Sequence, residues 1–249
     1  LMEPRGVQAL VTGGASGLGR ATALMLADAG ARVLAMDRDQ DMLDRLPPGI
    51  GRAVVDVTDA AAVADAVGAL PDAPMIAVNC AGIGHPERLI DKHGRVFDLD
   101  RFRRILDVSL MGSVNVLHAC CHAWARLERP TPRAARGVFI VTASTAAFDG
   151  QAGQVSYSGA KGALVAMLLP MARDLAREGV RVVGIAPGLF QTPILSALSD
   201  EKLAELAGDV PLPARAGRPE EFADMALAII RNDMINGTCV RLDGGLRTR

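Results

Sequence analysis

Aromatic side chains are scarce: they make up 3% of the 249 residues, with a single tyrosine and a single tryptophan. The core has therefore to be built from Ala, Val, Leu, Ile and Met, which suit buried parallel strands and close-packed helices. Charge of one sign is missing too. With 27 basic against 28 acidic residues the net charge is −1, so the basic excess that nucleic acid demands is absent. The four cysteines (Cys80, Cys120, Cys121 and Cys239) show no C-x-x-C spacing and read as reduced thiols. Charges interrupt every apolar run before the roughly 20 residues of a membrane span. Leu1–Arg5 is too short and polar for a targeting peptide. The expectation is a cytosolic protein with no nucleic-acid or membrane partner. Of the four histidines only His118 and His122 are four apart, and no carboxylate motif accompanies them, so no metal is expected.

What is present is an alternation of short apolar runs with longer amphipathic stretches. Seven strands are expected at Val7–Val11, Arg32–Met36, Arg52–Val57, Met75–Asn79, Gly137–Thr142, Arg181–Ala186 and Thr238–Leu242. Helices are expected at Leu18–Ala29, Ala60–Leu70, Leu99–Leu127, Val155–Glu178 and Pro219–Arg231. Such a β-α order predicts a doubly wound, Rossmann-type parallel sheet with helices on both faces. The length suits one α/β domain over 1–249, and no linker or repeat divides it. Two stretches fit the alternation poorly. One is a polar insertion at 84–98. The other is the proline-rich segment 188–217, expected to cover the substrate with Leu195, Leu198 and Leu206 on its underside.

The first strand runs into Thr12-Gly13-Gly14-Ala15-Ser16-Gly17-Leu18-Gly19 and at once into a helix. Glycines at 13, 17 and 19 permit a tight turn and close approach to a pyrophosphate, with the helix N-terminus facing the phosphates. A glycine-rich turn alone serves structure as often as ligand binding. Asp37, at the end of the second strand, adds a carboxylate suited to ribose hydroxyls and hostile to a 2′-phosphate, which favours NAD over NADP. Arg38 beside it leaves the phosphate-bearing cofactor open.

Tyr157 and Lys161 lie four apart in a helical stretch, so both project from one face. A phenol is a poor base near neutrality. An ammonium at about 4 Å, at an effective dielectric near 20, supplies on the order of 4 kcal/mol toward the phenolate, roughly three pK units. Desolvation acts in the opposite sense. Ser144, after the fifth strand, is placed to direct a hydroxyl at a substrate oxygen. Gln151 and Gln154 lie between Ser144 and Tyr157 and are candidates for a thioester or keto oxygen.

These motifs, in this order, resemble the short-chain dehydrogenase/reductase family over essentially the whole chain. Thr12–Gly19 match its T-G-x-x-x-G-x-G, and Ser144, Tyr157 and Lys161 match its S…Y-x-x-x-K. The resemblance implies that Gly13, Ser16, Gly17, Leu18, Gly19 and Asp37 hold NAD, with Asp56 and Val57 at the adenine. It implies further contacts from Asn79, Ala81 and Gly82, from Tyr157 and Lys161, and from Pro187, Gly188, Leu189 and Thr192 at the nicotinamide amide. The stretches 142–151, 186–193 and 241–245 resemble the subgroup of type II 3-hydroxyacyl-CoA dehydrogenases, with Arg88, Lys92, His93 and Arg95 of the insertion then facing CoA phosphates. Family members are commonly homotetramers. One position departs: where the family has a catalytic Asn that holds a relay water, this chain has Ser109, with one donor and a shorter reach. Two alternatives remain at this level: a hydroxysteroid or other small-alcohol dehydrogenase of the same family, and an NAD-sensing binding protein without catalysis.

Overall fold

Strands buried on both faces have to be covered by helices on both faces, and the chain does this by winding twice. The computed structural model describes residues 2–130, 134–192 and 207–247. Seven parallel strands are ordered β3-β2-β1-β4-β5-β6-β7. They are β1 (Gln8–Thr12), β2 (Arg32–Asp37), β3 (Gly51–Val54), β4 (Ile76–Asn79), β5 (Gly137–Thr142), β6 (Val180–Pro187) and β7 (Thr238–Leu242). The four central strands are buried at every residue, whereas β3 and β7, at the edges, are partly exposed.

The period of two sorts side chains between two cores. Ala9, Val11, Ile76, Val78, Val138 and Ile140 face one layer, with α1 (Gly17–Asp28) and the last helix, Pro219–Arg231. Leu10, Ala77, Phe139 and Val141 face the other, with α3 (Ala60–Gly68), α5 (Gly112–Trp124) and α6 (Val155–Asp174). A short α2 (Gln40–Asp44) is capped by the Asp39 carboxylate, and α4 (Leu99–Leu106) by that of Asp98. Two helical runs, Leu99–Trp124 and Val155–Glu178, reach the length and hydropathy of a membrane span, which the reading of interrupted runs did not anticipate. Both lie against the sheet in the second core, as central helices of an α/β protein do.

Winding reverses between β1 and β4, and the crevice of such a sheet opens beyond the strand ends at that switch point. Three departures from the expected elements sit there. The β3 ladder stops at Val54 rather than Val57, because the Asp56 carboxylate takes the Thr58 amide (2.9 Å) and hydroxyl (2.8 Å) and turns the chain out. The expected helix Leu99–Leu127 is interrupted by a π turn at Asp107–Met111, centred on Ser109. The 84–98 insertion carries one antiparallel bridge, Ile90 with Val96, and its Glu87 amide bonds to the Gly153 carbonyl (2.8 Å). The two limbs of 188–217 pair through Phe190 and Gly217; Leu195, Leu198 and Leu206 lie outside the described residues.

At the far end of β6, Arg181 is 4% exposed and donates to the carbonyls of Ile229, Ile230 and Ile235 at 2.8–2.9 Å. It satisfies the C-terminus of the last helix, which is numbered α7 from here on. Arg181→Met should lower unfolding stability by about 1–3 kcal/mol, because those carbonyls lose a buried donor. Urea denaturation would read that loss, while cofactor affinity, set at the opposite end of the sheet, should stay at the wild-type value.

Candidate active site

A cleft of about 770 Å³ opens at the switch point and runs from Asp37 and Asp56 at one end to Gln151, Gln154 and Leu246 at the other. Its floor is made of backbone. Gly13 has φ +62° and Gly17 φ +49°, a region that side chains other than glycine's rarely occupy. A Cβ on Gly13 would press on the Ala81 amide at 2.9 Å, and one on Gly19 would collide with the Gly13 carbonyl. Ser16 stands at the N-cap of α1 without making a side-chain cap, so the first-turn N–H groups face the cleft uncapped. The Asp37 carboxylate is anchored by the amides of Ala15 (3.1 Å) and Asp39 (3.2 Å) at the cleft's rim. A bare, positively poled cradle beside a fixed carboxylate fits the pyrophosphate and adenosine ribose of NAD.

At the middle of the cleft, α6 projects Tyr157 and Lys161 from one face. The Lys161 ammonium donates to the Thr142 carbonyl at the end of β5 (2.7 Å) and lies 5.8 Å from the centre of the Tyr157 ring. Lys161 is 3% exposed, and burial pulls its pKa down to about 8. The half-buried phenol of Tyr157 is pushed up by burial, against a lowering hydrogen bond from Ser144. Burial thus drives both groups toward their neutral forms, not toward phenolate and ammonium. Ser144 also caps the turn Thr145–Ala147 by accepting from the Ala146 amide (3.1 Å). Gly84 packs on the Tyr157 ring, where a Cβ would stand 3.2 Å from a ring carbon.

Behind the cleft runs a buried line of hydrogen bonds. The Ala81 amide donates to the Thr12 hydroxyl, which donates to the Asn79 carbonyl oxygen. The Asn79 amide donates to Ser113, and the Ser113 hydroxyl to the Ser109 carbonyl (3.1 Å). Ser109 then donates to the Ile83 carbonyl (2.9 Å) and accepts from the Ile83 amide (3.0 Å).

Most residues singled out from the sequence meet in this one cleft: Gly13, Ser16, Gly17, Leu18, Gly19, Asp37, Asp56, Val57, Ala81, Gly82, Ser144, Gln151, Gln154, Tyr157, Lys161, Pro187, Gly188, Leu189 and Thr192 line it. Two do not. Asn79 is 2% exposed with both ends of its amide spent internally, so it braces the cofactor floor from behind and does not itself line it. Ser109 is fully buried with its one proton given to Ile83, so it holds the chain after β4. Of the insertion only Gly84, His85 and Pro86 reach the cleft, and Arg95 is paired with Asp91 at 2.7 Å. Sequence reasoning missed Arg104 and Leu246, which also line it. They come from distant segments and carry no local spacing signal.

The sequence matches the family described as short chain dehydrogenase over residues 8–203, more than half of the chain. This chain is a short-chain dehydrogenase. It is 43% identical over 252 residues to the 3-hydroxyacyl-CoA dehydrogenase type-2 of Homo sapiens, covering 98% of this chain and 96% of that one. The protein of the same name from Drosophila melanogaster is 41% identical over 246 residues, with 96% of each chain covered. A crystal structure of 3-hydroxyacyl-CoA dehydrogenase type-2 from Mycobacterium avium superposes with a TM-score of 0.90 at 35% identity, over 98% of this chain and 97% of that one. The dehydrogenase uses NAD, in keeping with the cradle and the Asp37 carboxylate.

Two outcomes follow from the buried groups. The folded Lys161 releases its proton near pH 8, against an ordinary 10.5 for an unfolded chain. Between those values the unfolded state binds more protons, so wild-type stability should rise with pH there relative to Lys161→Met, which lacks the titration. Denaturant midpoints at pH 7, 9 and 11 check the sign. Ser109→Ala should cost about 1–3 kcal/mol of stability by stripping Ile83 of its partner, and leave the pH profile of turnover in place. A displaced profile would put the Ser109 hydroxyl in the proton path.

Proposed function

We propose that this short-chain dehydrogenase interconverts 3-hydroxyacyl-CoA and 3-ketoacyl-CoA; its relatives from Homo sapiens and Drosophila melanogaster are named 3-hydroxyacyl-CoA dehydrogenase type-2. The observation that carries the reading is the convergence of Ser144, Tyr157 and Lys161 on one wall of a cleft whose other half is a dinucleotide cradle. NAD, when bound, supplies the nicotinamide carbon that accepts or gives the hydride.

The chain's own residues handle the proton. The Ser144 hydroxyl orients the substrate oxygen, and the Tyr157 phenol exchanges a proton with it. Because burial raises the phenol's pKa, Tyr157 is protonated at neutral pH and ready to act as the acid in reduction of a ketone. Oxidation of an alcohol needs the phenolate and therefore gains as pH rises. Lys161 lies 5.8 Å from the ring centre, and burial works against its charged form as it works against the phenolate. Gln151 and Gln154 face the same space. The Gln154 side-chain oxygen accepts from the Gln151 backbone amide (2.9 Å), which leaves its NH₂ to bind a keto or thioester oxygen. Arg88, Lys92 and His93 on the insertion stand as candidates for the CoA phosphates. Asp37 selects NAD over NADP by repelling a 2′-phosphate.

A homotetrameric, cytosolic enzyme completes the reading. Exposed apolar residues on the central helices, Met111, Val155 and Leu169, support assembly through that face.

Loss of NADH absorbance with acetoacetyl-CoA tests the proposal directly. The wild type should turn over, and Tyr157→Phe should lower kcat by roughly 10²–10⁴ while still binding NADH by fluorescence. Reduction should weaken and oxidation strengthen as pH is raised through the phenol's titration. NADH binding without turnover of any 3-ketoacyl-CoA would defeat the proposal.

A further inference from the structure

The outer wall of the substrate half is built by the tail after β7, and two arginines tie it there. Arg247 donates to the Asp243 carboxylate (3.1 Å) and the Leu246 carbonyl (2.6 Å). The less exposed Arg241 reaches across to the neighbouring loop. Gly244 (φ +61°) and Gly245 (φ +84°) turn the chain back toward the cleft. The side chain of Leu246 thereby comes to line it, 8% exposed, as does the buried ring of Phe190. Three hydrogen bonds from Arg241 fix the turn. Its Nε donates to Asp243 (2.8 Å), and its Nη2 donates to both the Leu246 carbonyl (3.1 Å) and the Asp149 carboxylate (2.6 Å). The guanidinium also sits over the Phe148 ring, 5.3 Å from its centre. Asp149 lies two residues before Gln151, so one planar cation joins the tail to the loop that carries the polar substrate contacts.

Arg241 keeps less than a quarter of its side chain in water, so these bonds are shielded more than an open surface pair. A short apolar side chain held this firmly at the substrate end has one evident use. We propose that Leu246 is a specificity-determining contact for the acyl chain, and that Arg241 is the positioning residue that holds it in place. The inference rests on the acyl-CoA reading above. Leu246 and Phe190 together offer an apolar surface to the hydrocarbon part of the substrate, leaving the glutamines to its oxygens. The bulk of Leu246 then limits how long a chain fits.

The test compares kcat/KM over 3-ketoacyl-CoA substrates of rising length in the full-length enzyme. Leu246→Ala should raise the ratio of long-chain to acetoacetyl-CoA specificity by about tenfold, the scale of a methylene-sized change in an apolar pocket. Arg241→Gln should shift the ratio in the same direction and act mainly through KM, with part of the wild-type ratio restored in Arg241→Lys. A Leu246→Ala ratio within about twofold of wild type, in an enzyme that folds and binds NADH, overturns the inference and leaves the acyl-CoA reading standing. A shift in Leu246→Ala with none in a folded Arg241→Gln overturns the positioning role. A wild type inactive on the whole series overturns both readings. Should Arg241→Gln fail to fold, Asp149→Asn cuts the same tie from the loop side and is held to the same ratio.

Discussion

An ammonium kept almost wholly out of water, with a backbone carbonyl as its hydrogen-bond acceptor, is the constraint around which this site is arranged. Lys161 cannot be solvated where it stands, and its bond to the Thr142 carbonyl offsets only part of that cost. The energetic consequence is visible in the direction of its pKa, and the same burial drives Tyr157 the opposite way. Burial works against the charged form of each group, so the two are not locked as an ion pair. A phenol protonated at rest favours reduction, while the lysine beneath it still carries charge at neutral pH. Function and stability pull against each other here, as they do wherever a charge is stored inside a protein for use.

Such storage is useful only if the surroundings do not move, and the buried line from Thr12 through Asn79, Ser113 and Ser109 to Ile83 supplies that stiffness. It ties the ends of β1 and β4 to the π turn, so the strand that opens the glycine cradle and the helix behind the lysine share one set of hydrogen bonds. The π turn carries Ser109, whose hydroxyl meets both the carbonyl and the amide of Ile83, while the Ser113 hydroxyl bonds back to the Ser109 carbonyl four residues earlier.

Much of this was legible in the order of residues. Alternating apolar runs set all seven strands, because strands buried on both faces leave a continuous signal, and β5 and β7 fall at the expected bounds. The glycine turn, Asp37, Ser144, Tyr157 and Lys161, each singled out by local spacing, share one cleft. Tertiary bonds decided the rest. Asp56 ends β3 early because its carboxylate prefers the Thr58 turn, and the π turn carries a serine bonded to Ile83, 26 residues away. Asn79, whose motif the resemblance assigns to steadying the central sheet, spends both ends of its amide on Thr12 and Ser113 behind the cleft. Spacing places an ammonium near a phenol but carries no measure of how dry the pair becomes, and burial is the largest influence on both groups.

The two halves of the cleft are built by different physics, and this bears on what each can vary. The cofactor half is formed by backbone N–H groups and glycines packed against backbone, so almost any added side chain collides with main chain. The substrate half is formed by side chains from segments far apart in sequence, joined by ion pairs such as that of Arg241 with Asp149. Backbone contacts recognise what every substrate shares, the dinucleotide, and admit few substitutions. Side-chain contacts recognise what differs and are exchangeable one at a time. A family that keeps one hydride chemistry while changing its alcohol therefore needs to alter only the second half, and the tail after β7 is one place where a single replacement can do so without disturbing Tyr157 or Lys161.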